Sequence, residues 1–108
     1  MNTEHIDAVW IDERGEISLS ALVALSGLGE TEVRTLVEYG ALKPRDPGGA
    51  EWSFERRCVS AVKVVGRLRR DLELDAPNLA LALALVERIH ELETELRSLR
   101  VMMPHRSS

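Results

Sequence analysis

The chain is poor in the residues that catalysis, metal binding and cross-linking require. Its 108 residues include one cysteine, three histidines and four aromatic side chains. A single thiol, Cys58, excludes an internal disulfide and a cysteine-rich metal site. His5, His90 and His105 are scattered, and no pair of them has ligand spacing. No glycine-rich loop runs from a strand into a helix, and serine, cysteine and histidine never cluster as a nucleophile with its base. We therefore expect no enzymatic activity, no cofactor and no metal. The opening MNTEHIDA has neither the basic nor the apolar region of a signal peptide. The longest apolar run, Leu79 to Val86, falls well short of the ~20 residues that a membrane span needs. The expectation is a cytoplasmic protein without a membrane partner. With so few aromatics, the core must be aliphatic and mainly helical, and the length suits one domain.

Charge is plentiful and unevenly spread. The net charge is −4, but residues 1–42 carry −6, residues 43–70 carry +5 and residues 71–108 carry −3. A DNA-binding domain ordinarily shows a basic face around its reading element. Here the segment that would supply that element lies in the acidic first third.

The stretch from Trp52 to Asp75 organises the rest. Trp52-Ser53-Phe54 reads as a short strand that runs directly into a helix of about eighteen residues. Cys58, Ala61, Val62, Val65, Leu68 and Leu72 recur at three- and four-residue steps and predict its buried face. Arg56, Arg57, Lys63, Arg67 and Arg70 fall mostly off that face. Cys58 on the apolar side reads as a buried, inert thiol.

Upstream, Ala8 to Ile11 and Glu16-Ile17 predict a hairpin around the turn Asp12 to Gly15, with Trp52 to Phe54 as a third strand. Ser18 is a helix N-cap and Gly27 a left-handed stop, with Leu22, Val23 and Leu25 facing inward. A second helix starts at Gly29, with Glu32 placed to close half of a capping box. Val33, Leu36 and Val37 form its apolar stripe, Gly40 ends it, and Pro44 prevents its resumption. The two helices make a helix-turn-helix. Lys43 to Ala50, with two prolines and a glycine pair, is a loop where a winged helix carries its wing.

Downstream, Asp75 can cap a last helix with Pro77 in its first turn. NLALALALV alternates like a strand, yet leucine and alanine favour helix and no β-branched residue precedes Val86. Leu85, Ile89, Leu92, Leu96, Leu99 and Met103 follow at steps of four, three, four, three and four, a heptad seam. With Ile89 at position a, Arg88 and Glu95 take g, and Glu93 and Arg100 take e. Both parallel and antiparallel self-pairing bring these charges together attractively, so they leave orientation open. The seam predicts self-association through the C-terminal helix, the alternative being that it folds back on its own domain. We expect residues 1–75 to form the winged domain with its connecting helix, 76–103 a helical arm of the same folding unit, and 104–108 a disordered tail.

Residues 17–54 and the helix after them resemble the MerR-type winged helix-turn-helix, through the capped first helix, the glycine turn, Arg34 and the Gly-x-Leu and proline that follow. The closer resemblance is to the chaperone-modulator family CbpM and runs over nearly the whole chain. It is carried by Trp52-Ser53-Phe54, by VVGRLRRDLEL with Asp75 and Pro77, and by ALALVERIHELETELRSLR. The resemblance implies a mainly α fold with a small antiparallel sheet and a long C-terminal helix. It also implies an inhibitor that binds the J-domain of a DnaJ-like, CbpA-type co-chaperone and keeps it from the Hsp70 DnaK. Such a J-domain presents a basic helix, which makes Glu30, Glu32 and Glu38 on helix two, and Asp71, Glu73 and Asp75 at the hinge, the candidate partner-binding residues. The other reading is a MerR-family transcriptional regulator using Arg34, Lys43, Arg45, Arg56 and Arg57 on phosphates. Against it, Thr35 and Leu36 stand where DNA-binding members of the superfamily carry aromatics, and Glu51 occupies a wing position where a phosphate contact favours arginine. No specific DNA binding is expected.

Overall fold

The computed structural model describes residues 12–103. The elements are β1 (Glu16–Ser18), α1 (Leu19–Ser26), α2 (Glu30–Glu38), β2 (Ser53–Glu55), α3 (Cys58–Leu72) and α4 (Ala76–Met102). The fold is mainly α, with one small antiparallel sheet, as expected. Ala8 to Ile11 and the tail 104–108 lie outside the described residues.

Local chemistry sets the boundaries. Ser18 Oγ accepts the Ala21 N–H at 3.1 Å and opens α1. Gly27, at φ 79°, closes it in the left-handed region that favours glycine. Glu32 Oε1 accepts the Gly29 N–H at 3.0 Å, the half capping box read from the sequence. Past α2 the chain turns at Gly40, and the Ala41 and Leu42 amides both donate to the Leu36 carbonyl, which seats Leu42 in the core. Asp75 Oδ1 accepts the Asn78 N–H at 3.1 Å and starts α4 with Pro77 in its first turn. The Leu-Ala alternation is helical throughout.

β1 and β2 pair with Ile17 opposite Phe54, and both side chains are fully buried. The Trp52 carbonyl accepts from Leu19 just outside the ladder, so β2 begins one residue later than the aromatic triplet suggests. The sheet, α1, α2 and α3 enclose one aliphatic core, to which α4 contributes Leu79, Ala80 and Leu83. α3 runs for fifteen residues, shorter than the sequence suggests. Its buried face is Cys58, Val59, Ala61, Val62, Val65 and Gly66, while Leu68 is half-buried and Leu72 is 62% exposed. Periodicity placed Leu72 on the correct side, but the helix outruns the elements that cover that side. Gly66 is required by close approach: a Cβ there would sit 1.9 Å from the Ser26 carbonyl oxygen. This contact brings the end of α1 onto α3 and fixes where the turn into α2 begins.

Candidate functional site

The surface that reads DNA in a winged helix is here occupied by internal ion pairs. Arg34 on α2 donates through Nε to Glu30 at 3.0 Å, one turn back, and its guanidinium carbon lies 5.0 Å from the centre of the Trp52 ring. Trp52 is held in turn by its Nε1–H donating to the Pro47 carbonyl and by edge-on contact with Phe54. Arg34, Trp52, Glu30 and Glu51 line a shallow groove of about 360 Å³ between α2 and the wing. Arg45 from the wing reaches Glu55 at 3.0 Å and the buried Glu16 at 3.6 Å, and Arg57 pairs with Glu55 at 2.5 Å. Glu16 also accepts from Ser53 Oγ at 2.5 Å. Arg45 first and Arg57 next hold the Glu55 carboxyl below its ordinary value. Of the five cations considered for phosphate contact, Lys43 and Arg56 alone have side chains without an ion pair or hydrogen bond among the described residues. Sequence reasoning missed Glu16, the carboxylate that draws Arg45 inward. Apart from Arg14 at 3.8 Å, its partners Ser53 and Arg45 lie far along the chain, so no local pattern announces them.

The predicted acidic residues fall into distinct environments. Glu32 faces α3, where Oε2 accepts from Arg69 Nε at 2.6 Å while Oε1 caps Gly29. The Gly29 N–H, and after it Arg69, hold the Glu32 carboxyl below its ordinary range. The Arg69 carbonyl accepts the Glu73 N–H at 3.0 Å, so Glu73 lies one turn of α3 beyond the arginine that Glu32 holds. Asp71, Glu73 and Asp75 are exposed there and make no ion pair among the described residues. Glu73 ends α3 at φ 51°, the one described non-glycine residue with positive φ, and Asp75 is committed as the α4 cap. Glu30 instead faces the wing groove, and Glu38 sits at the far end of α2, about 12 Å along its axis. Glu32 is thus tied to the last turn of α3 through Arg69, whereas Glu30 and Glu38 are not.

The heptad residues lie together on one face of α4, opposite the side that packs on the domain. Leu85, Ile89, Leu92, Leu96, Leu99 and Met103 are all about half exposed or more, and Leu81 extends the row one turn upstream. The row does not fold back onto its own domain. His90 is half-buried and lines an open cleft of about 710 Å³ with Arg57, Ser60, Glu87 and Glu91. Burial, followed by Glu91, pushes the Glu87 carboxyl up. Burial also pushes the Cys58 thiol up to about 12, the condition of an inert side chain. Among the described residues no three His, Cys, Asp or Glu side chains converge to hold a metal ion, and no helix is long and apolar enough to cross a membrane.

The profile of the MerR HTH family regulatory proteins matches residues 17–101. The chaperone modulatory protein CbpM of Coxiella burnetii (strain Dugway 5J108-111) is 27% identical over 99 residues, which cover 92% of this chain and 93% of that protein. Chaperone modulatory protein CbpM of Salmonella arizonae is 38% identical over 74 residues, 68% of this chain and 73% of its own length. Salmonella newport (strain SL254) carries a CbpM with the same identity and coverage. The match spans the winged domain, the hinge and most of α4, and the chain therefore belongs to the CbpM family of chaperone modulatory proteins, built on the MerR helix-turn-helix fold.

Proposed function

We propose that this protein is a non-enzymatic regulator that binds the J-domain of a DnaJ-like, CbpA-type co-chaperone and inhibits its work with the Hsp70 chaperone DnaK. The observation that carries the reading is an asymmetry of charge. Arg34, Arg45 and Arg57 on the winged face are neutralised inside the domain, while Asp71, Glu73 and Asp75 at the hinge stay exposed without ion pairs. Paired arginines release few counterions on meeting phosphate, which weakens a role in DNA binding. Exposed carboxylates on a rigid helix end attract a basic helix and raise its encounter rate. The names of the curated relatives, chaperone modulatory proteins, support the same direction.

The exposed row on α4 supports a homodimer. A seam from Leu85 to Met103 spans about 27 Å of helix and carries Arg88, Glu93, Glu95 and Arg100 on its flanks.

The test is binding of the isolated J-domain to the full chain, followed by J-domain-stimulated ATP hydrolysis by DnaK. Saturable binding with loss of the stimulation is expected. No binding at concentrations up to about 100 μM refutes the reading.

A further inference from the structure

A partner held only by exposed charges would associate fast and leave fast, because such charges raise encounter rate more than affinity. Affinity requires a desolvated apolar anchor close to them. Outside α4 and its C-cap Met103, the described residues leave two large apolar side chains exposed, Tyr39 at 55% and Leu72 at 62%. Each stands beside a predicted acid: Tyr39 follows Glu38, and Leu72 lies between Asp71 and Glu73.

Leu72 has the stronger position. It continues the row of Ala61, Val65 and half-buried Leu68 along α3, so its backbone is fixed by a packed helix while its side chain is not covered. The helix stops directly after it, with the Glu73 N–H bonded to the Arg69 carbonyl. Arg69 is itself occupied by Glu32 at 2.6 Å. Arg70 lies against Gly27, where its guanidinium stands 2.6 Å from the position a Cβ would take. The two arginines of this last turn are thus held toward α2 and toward the end of α1. Asp71, Glu73 and Asp75 remain to face a visitor. Tyr39 lies at the opposite end of α2 with Glu38 as its single acidic sequence neighbour.

We propose that Leu72 is the apolar anchor of the co-chaperone contact, seated in a partner helix that presents basic side chains around an apolar socket. The proposal rests on the J-domain reading above and names its contact residue. A leucine on a rigid helix end enters a socket with little loss of freedom, and the three carboxylates around it set orientation.

Binding of the isolated J-domain to the full chain, followed in real time, tests this. Leu72→Ser should weaken binding about tenfold or more through faster dissociation, with the salt dependence of association unchanged. Leu72→Met should restore most of the affinity. The melting temperature should move little, because the side chain is mostly exposed. Tyr39→Ser is the matched comparison and should bind nearly as the wild type does. If the wild type binds and Leu72→Ser binds within twofold of it, the anchor is elsewhere and the J-domain reading stands. If the wild type does not bind, both fall.

Discussion

Gly66→Ala tests how the fold positions the acidic end. In most exposed helices the change gains about 1 kcal/mol, because alanine loses less backbone freedom on folding than glycine. At this position the new methyl would sit 1.9 Å from the Ser26 carbonyl oxygen and 3.0 Å from its carbon. Neither neighbour is a flexible side chain, so α1 and α3 must move apart. Forcing volume into a packed contact costs about 1–3 kcal/mol, and here backbone meets methyl, which favours the upper end. The propensity gain offsets part of this, leaving a net loss of about 1–2 kcal/mol. For a chain of this size that lowers the melting temperature by roughly 5–15 °C. Thermal unfolding followed by helical circular dichroism reads the effect directly. Gly48→Ala is the control, since nothing lies within 4 Å of its added Cβ, and it should be neutral or slightly stabilising. A second consequence follows from geometry. Ser26 is two residues before Leu28, whose amide donates to Ser26 Oγ at 3.1 Å, and this turn launches α2 with Glu32 aimed at Arg69. Displacing it should loosen that ion pair. A Gly66→Ala protein as stable as the wild type would refute the close approach and the account of how α2 is placed.

Three further outcomes follow. Leu92→Lys with Leu96→Lys should convert a dimer into a monomer in sedimentation while leaving the winged domain folded, because both side chains are about half exposed; a wild type already monomeric at high concentration contradicts the seam. Glu32 has a folded pKa held low by the Gly29 N–H and Arg69, so its stabilisation is present above the unfolded pKa and is lost as pH falls through the folded value; Glu32→Gln should lose about 1 kcal/mol near neutrality and flatten acid unfolding. Glu87 has the opposite sign, its folded pKa being raised by burial and Glu91, so its favourable contribution belongs to low pH and disappears as pH rises through the folded value; Glu87→Gln should melt higher than the wild type at pH 7 and converge with it near pH 4.

Local rules carried most of the fold. Ser18, Gly27, Gly40 and the Asp75-Pro77 pair each act on their own neighbourhood, and a sequence displays such chemistry openly. That Glu16-Ile17 and the Trp52–Phe54 stretch share one sheet was also legible, since two short apolar strands flanking a helical pair have few other partners, whereas the register of Ile17 opposite Phe54 was not. The charge pairing was not. Arg34 and Arg45 read as available cations, and what occupies them is a stacked tryptophan and a buried glutamate brought in by the tertiary fold. Glu30, Glu32 and Glu38 read as one acidic group because they share a helix. Yet positions two apart on a helix point to opposite sides, and Glu32 is drawn to Arg69 while Glu30 faces the wing. Leu72 shows the same limit of periodicity, which assigns a side of a helix without saying where the neighbouring helix ends.

The central claim is that the hinge end of this molecule receives a basic partner. Its most direct test is the association rate constant of the isolated J-domain measured against ionic strength, for the wild type and for Asp71→Lys with Glu73→Lys. These two acids serve no capping side-chain bond, unlike Asp75 and Glu32, so charge can be reversed there without removing a helix start. Exposed charges are screened over about 10 Å at 0.1 M salt. The wild-type rate should fall steeply as salt rises, and the double variant should associate more slowly with most of that slope gone. Equal rates and equal slopes for the two proteins would contradict the claim and move the contact to another face.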